Sequence, residues 1–425
     1  MRIHVALVLM AAVGACHGWS QERLTLEQAE RIAISQHPRL KAAASETAAA
    51  RSQVQQAKGL LQPFVSASVT SSVADHNSVI GAGGVNAPGL FTRFAAGFAV
   101  NQTIYDFGRT SKLAESATTR VGAQGAREDQ ARAELRWEVR QAFLRVLALQ
   151  KSLKVARAAV ESRTLARKQI QALVENSLRS TLDLQFAEVA LGDAEVAAAR
   201  LEGELSAAEA TLTTTMGLPA PKTYALEEVA TDYQLPTEVE GLVHEALASR
   251  PDAVSQRRLL AAAQQFADSE RRLSYPNLSA TGVLGVIPAG DPRLRPRYGA
   301  LGVNLNIPIF NGRTLDARRQ EADSRAEAVA QEVRALELRV AREVRTAYAE
   351  AANAKRQIGL SEKQEAQARR LYSMTQLRYQ NGLGTIVEVN QAEFAQLSAE
   401  LAATAARYSY LAACATLDLA AGRLR

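Results

Sequence analysis

The chain is written twice, and that repetition limits its architecture more than any other feature. LTLEQAERIAISQHPRL (24–40) is answered by VEGLVHEALASRPDAV (239–254), which sets Pro38 against Pro251 at an offset of 213. The same offset carries Pro63, Ser66 and Ala67 onto Pro276, Ser279 and Ala280. IYDFGRT (104–110) then answers PIFNGRT (308–314) at 204, so a loop in the second copy is nine residues shorter. LVENSLRSTLDLQFAE (173–188) lies against RYQNGLGTIVEVNQAE (378–393) at 205. Two copies of about 200 residues far exceed a solenoid unit, so a whole architecture is duplicated. The copies span 16–218 and 239–425, joined by a linker over 219–238.

Each copy reads as short helix, β-hairpin, long helix, turn, long helix. None of the 12 prolines falls between residues 89 and 218 or between 309 and 425, and proline breaks helix interiors at ~3 kcal/mol. Within those stretches apolar residues recur at helical spacing, as in Leu135, Val139, Ala142, Phe143, Val146 and Leu149. The pattern predicts helical hairpins over 110–217 and 314–422, with turns near 176–181 and 381–385. At 1.5 Å per residue such helices extend ~100 Å, a coiled-coil length. Aromatic residues make up only 5% of the chain, which suits small-residue helix interfaces.

The expected hairpins over 64–105 and 277–310 alternate with period two. Phe94, Ala96, Phe98, Val100 and Ile104 oppose Arg93, Asn101 and Thr103; Leu301, Val303, Leu305 and Ile307 oppose Asn304 and Asn306. Strands of ~10 residues with one apolar and one polar face fit a membrane barrel, lipid outside and water inside. A soluble sandwich edge would look similar, but the N-terminus favours the barrel. MRIHVALVLMAAVGAC reads as an export signal over 1–15. VGAC resembles a lipobox, which would make Cys16 an acylated first residue, ordinary cleavage nearby being the alternative. Four strands do not close a barrel, since small membrane barrels have ~8, so several chains must share one.

Other chemistry finds little support. The net charge of +6 is interleaved with acidic residues along the helices, a solvated face rather than a nucleic-acid site. His37, His76 and His244 are scattered, and no Cys or His spacing suits zinc. Gly81, Gly83 and Gly84 lack the Lys-Ser/Thr of a phosphate loop. No nucleophile with a base, no metal site and no cofactor is implied, and the chain does not read as an enzyme. Cys414, in a helical pattern, reads as a small packed residue.

NGLGTIVEVNQAEFAQLSAELAATAARYSYLAA (381–413), together with the hairpin ends Phe107-Gly108-Arg109 and Asn311-Gly312-Arg313, resembles the TolC-type outer-membrane efflux factors. The resemblance covers essentially the whole mature chain. It implies an α+β, mainly α fold in which a homotrimer builds a twelve-stranded barrel in outer-membrane lipid above a periplasmic coiled-coil tunnel. It implies partners: a periplasmic adaptor and an inner-membrane pump, the resistance-nodulation-division (RND) type being favoured over the ATP-binding cassette (ABC) type. A periplasmic adaptor-like or structural coiled-coil protein without a channel is the rival reading.

In that family two acidic residues past the second turn form charged rings at the entrance. Glu388 stands at the first position and Gln391 at the second, which implies one ring instead of two. A tyrosine and an arginine of the second turn also latch to an aspartate of the first. Tyr379 and Asp183 match, while Gly384 replaces the arginine, which implies a weaker latch. Asn176, Ser177, Leu178, Ser180 and Thr181 of the first turn, with Asn381, Gly382, Leu383 and Thr385 of the second, are the expected adaptor-docking residues.

Overall fold

The computed structural model describes residues 23–73, 81–82, 85–86, 92–220, 222–230, 233–292 and 294–424. The expected export signal, Cys16, His76, Gly83 and Gly84 lie outside the described residues. In chain order the elements are β1 (Arg23–Leu24), α1 (Leu26–Gln36), α2 (Pro38–Gly59), β2 (Phe64–Ser72), β3 (Gly81–Ala82), β4 (Val85–Asn86), β5 (Arg93–Tyr105), α3 (Arg109–Glu175) and α4 (Thr181–Thr215). The second copy follows a short β6 (Ala225–Leu226) with α5 (Val239–Ser249), α6 (Pro251–Arg271), β7 (Asn277–Gly290), β8 (Arg297–Asn306), α7 (Thr314–Gln380) and α8 (Ile386–Ala420). The fold is mainly α with a smaller β part. Corresponding long helices have equal lengths, 67 residues for α3 and α7 and 35 for α4 and α8.

Local chemistry sets the boundaries. Thr25 and Gln28 cap α1 reciprocally, at 3.1 and 2.9 Å. Pro38 and Pro251 open α2 and α6, where a missing N–H costs nothing. Gly217 and Gly422 adopt φ of 77° and 73° after α4 and α8, the left-handed turn that only glycine takes without strain.

Two compact units divide the chain. Of the described residues, one gathers those up to His37 and those within Leu135–Leu235 and Glu350–Thr416; the other gathers those within Pro38–Glu134 and Pro236–Ala349 and those from Leu417. In the first unit the stripe Leu135, Val139, Ala142, Phe143, Val146 and Leu149 is buried throughout, and Cys414 packs with Ala354 and Tyr410. Leu149, Leu153 and Ala156 meet Ala198 and Leu201 across the first helical hairpin.

The second unit contains a four-stranded sheet in the order β2-β5-β7-β8, antiparallel throughout. Its register joins Val65, Val100, Gly282 and Leu301 in one row and Ala67, Phe98, Leu284 and Gly299 in the next. This builds an apolar face, and that face is bare: Phe98 is 58% exposed, Leu284 66% and Leu301 85%. On the other face Tyr298 lies over Gly97 and Gly285, where a Cβ would fall 2.4 Å from its ring or hydroxyl. Tyr105, Phe107 and Tyr275 form a ring cluster at the strand ends, with centroids 4.9 and 5.9 Å apart. Among the described residues no helix is long and apolar enough to cross a membrane.

Candidate gate at the two helix turns

Both turns lie in the first unit and use the same backbone solution. In the first, Ser177 N donates to Val174 O at 2.9 Å and Leu178 N to Leu173 O at 2.8 Å. In the second, Gly382 N donates to Tyr379 O at 3.1 Å and Leu383 N to Arg378 O at 2.8 Å. This closure demands a left-handed residue, supplied by Gly382 at φ 73° and, with strain, by Ser177 at φ 59°. Gly384 has no positive φ, so its lack of a side chain is not a backbone requirement. Asn176 and Asn381 each return their Nδ2 to a helix carbonyl, at 2.7 and 2.8 Å, while Leu178 and Leu383 stand 69% and 71% exposed.

The helices that follow are capped in parallel. Ser180 Oγ accepts from Leu182 N at 3.1 Å, and Asp183 sits in the first turn of α4. At α8, Thr385 Oγ1 accepts from Glu388 N at 3.3 Å, and Glu388 returns a carboxylate oxygen to Thr385 N at 3.5 Å. Glu388, one of the two expected ring positions, is therefore also the acidic half of a capping box. The pattern Thr385-Ile-Val-Glu388 is legible as one in the sequence. Gln391 is exposed one turn further on, followed by Phe394 at 62% exposure.

The two turns meet within one chain. Ile170 and Ala187 pack against Ile386 and Val389, with Phe186 and Tyr379 at the edge. Arg179 of the first turn places its Cζ 4.3 Å from the centroid of the Tyr379 ring and donates from Nη2 to Tyr379 O at 3.1 Å. The sequence reading put the missing arginine at Gly384 and expected the latch to lose its cation. The offset of 205 sets Arg179 against Gly384, so the guanidinium is present on the other turn. A Cβ at Gly384 would crowd Glu388 at 3.1 Å and Tyr379 N at 3.4 Å. Tyr379 Oη is buried and meets no acceptor at normal hydrogen-bond geometry, but the Asp183 side chain, its expected partner, lies near enough to act on it. Burial first, and then the Asp183 charge, raises the phenol above its ordinary pKa, against the opposing pull of Arg179.

Behind the turns lies an ion pair that the sequence reading missed. Arg163 of α3, with its side chain 4% exposed, reaches Glu393 of α8 at 3.4 Å and donates from Nη1 to Ala190 O of α4 at 2.6 Å. Burial raises the Glu393 carboxyl above its ordinary range, and the neighbouring Arg163 charge opposes the rise. Tyr372 of α7 is raised by burial and then by the Glu393 charge. One cation thus joins three helices, its own α3 with α4 and α8.

A profile of the family described as "Outer membrane efflux protein" matches residues 31–218 and 242–423, once on each copy. A pyoverdine export outer membrane protein, OpmQ of Pseudomonas aeruginosa, is 28% identical over 291 residues, or 67% of this chain and 60% of the relative. The match thus spans under two thirds of that curated relative's length. Among solved structures, the outer-membrane channel OprN aligns over 93% of this chain and 89% of its own, at 21% identity and a TM-score of 0.80. The Campylobacter jejuni CmeC outer membrane channel aligns over 93% and 85%, at 18% identity and the same TM-score. The fold is that of these channels, and the chain belongs to the outer membrane efflux protein family, whose members are transport proteins of the outer membrane and not enzymes.

Proposed function

We propose that the chain is the outer-membrane conduit of an export assembly, built from three copies and gated at the two helix turns. The observation that carries this reading is the four-stranded sheet, whose apolar face is bare and whose outer strands β2 and β8 each have one partner among the described residues. Open edges and an exposed apolar face call for more strands and a lipid environment. Twelve strands from three chains supply both. The adaptor-like rival has no use for such a sheet.

The long helices then carry solute across the periplasm, and the turns control the entrance. Arg179 on Tyr379, rather than an arginine at position 384, ties the hairpins together, with Asp183 acting through its charge. Glu388 presents a single acidic ring, with the neutral Gln391 below it. The exposed turn residues, Leu178 and Leu383 foremost, dock a periplasmic adaptor, and an inner-membrane pump of the RND type in preference to the ABC type drives transport. OpmQ is described as a pyoverdine export protein, so cargo of that kind is the first to assay.

Outer-membrane fractionation with gel analysis of unheated samples tests the assembly. A trimer band in the outer-membrane fraction that collapses to monomer on boiling is expected; a monomer released from the periplasm by osmotic shock would exclude the conduit.

A further inference from the structure

Where the strands hand over to the long helices, the second unit holds a groove of about 580 Å³. Thr103, Asn277 and Asn306 line it from the strands, joined by Arg109, Arg272 and Asn311. Thr103 and Asn306 lie on the polar faces of β5 and β8, and Asn277 faces Asn306 across the β7–β8 pairing.

Two guanidiniums stand here without an ion-pair partner. Among the described residues neither Arg109 nor Arg272 forms an ion pair, whereas their neighbours Arg271 and Arg318 pair with Asp323 and Glu270 at 2.9 and 2.8 Å. Arg272 donates from Nη1 to Phe107 O at 2.9 Å, and Arg109 Nε is buried with no hydrogen-bond acceptor. The one carboxylate lining the groove, Asp106, is occupied: its oxygens accept from Gly108 N at 3.1 Å and Thr110 N at 2.8 Å. Two guanidiniums against this one carboxylate leave the groove lining with a net positive charge. Because α3 and α7 both begin beside it, their positive helix ends add to that surplus.

We propose that Arg109 and Arg272 form an anion-binding station on the polar wall of this junction, where carboxylate or phosphate groups of exported solutes are held on their way into the strand region. The proposal rests on the conduit reading, which makes the polar strand faces the water-filled side. A solute reaches the groove from that side, whereas a lipid headgroup approaches from the apolar face. Three copies around one axis would place six guanidiniums along the path, and a fixed cationic ring favours anions at close range.

Reversal potentials of trimers in planar bilayers under a KCl gradient test it, with citrate as the polyanion probe. Replacing both residues, Arg109→Gln with Arg272→Gln, should lower the chloride-to-potassium permeability ratio roughly threefold or more and abolish the reduction of conductance by citrate. The pair Arg109→Lys with Arg272→Lys should keep most of the selectivity. Unheated trimer bands for each variant confirm assembly. An unchanged reversal potential and unchanged citrate response in the glutamine pair would overturn the station. So would citrate insensitivity of the wild type combined with thermal stabilisation by phosphatidylglycerol that the glutamine pair loses, which would assign the groove to lipid. Trimers that pass no ions at all would overturn the conduit reading and the station with it.

Discussion

Arg179 lies over the ring of Tyr379, 4.3 Å from its centroid, and donates to the carbonyl of the same residue at 3.1 Å. One side chain of the first turn thus holds both the ring and the backbone of the second. The hydroxyl is buried without a well-aligned hydrogen bond, with Asp183 near enough to raise its pKa, so the tie rests on the ring and the carbonyl. Arg179→Ala should loosen the turns by ~1–2 kcal/mol, roughly a tenfold shift toward the open entrance. Tyr379→Phe keeps the ring and should change little, while Tyr379→Leu loses the ring contact but keeps the carbonyl bond, so it should fall between Tyr379→Phe and Arg179→Ala. Open probability in single-channel records separates these; equal effects of Phe and Leu would return the latch to the hydroxyl.

Glu388 has two jobs that substitution can divide. Glu388→Gln keeps the cap on Thr385 and removes the charge, so it should weaken divalent-cation block without disturbing α8. Glu388→Ala removes both and should also cost ~0.5–1 kcal/mol at the helix start. Block measured against amide exchange over residues 385–390 distinguishes the two. If Gln and Ala reduce block equally while only Ala speeds exchange, both roles stand; full retention of block in Gln removes the charge from the gate.

The buried pair Arg163–Glu393 predicts a pH response. Burial raises the Glu393 carboxyl in the packed state above its ordinary value of 4.5, so protonation favours packing. That contribution is complete below the ordinary value and is lost as pH rises through the raised one. Exchange protection of α3 and α8 near these residues, corrected for intrinsic rates, should therefore fall with rising pH across that window, and Glu393→Gln should flatten the profile. Arg163→Ala leaves a buried carboxylate alone and should cost ~3–5 kcal/mol, much of it recovered when Glu393→Gln is added.

Ser177 holds φ 59° where its counterpart is Gly382. Ser177→Gly should relieve ~1 kcal/mol of backbone strain and slow amide exchange over 174–180, and Gly382→Ala should do the reverse over 379–385. Faster exchange in Ser177→Gly would mean that the serine side chain outweighs the strain.

Periodicity made the mainly helical character legible. The stripe from Leu135 to Leu149 is buried because a 3.6-residue repeat faces one side wherever the helix runs. Asn-Gly at 381 and 382 likewise marks a residue free to turn left-handed. The gate was legible only in part. Arg179 and Tyr379 are 200 residues apart, and nothing local ties them, although the internal repeat aligns Arg179 with Gly384. Arg163 and Glu393 were hidden for a different reason: each sits among many exposed charges of similar spacing, and only packing sets a buried pair apart. Glu188, the repeat partner of Glu393, pairs with Arg167 at 3.7 Å with its side chain 42% exposed, so even the duplication gives no hint of the burial.

Single-channel conductance of the purified protein in planar bilayers, wild type beside Arg179→Ala, bears most directly on a conduit gated at these turns. The account predicts discrete conductance steps from the trimer, small in the wild type and larger or more frequent in the variant. Steps of the same size and frequency in both, or none in either, would contradict it.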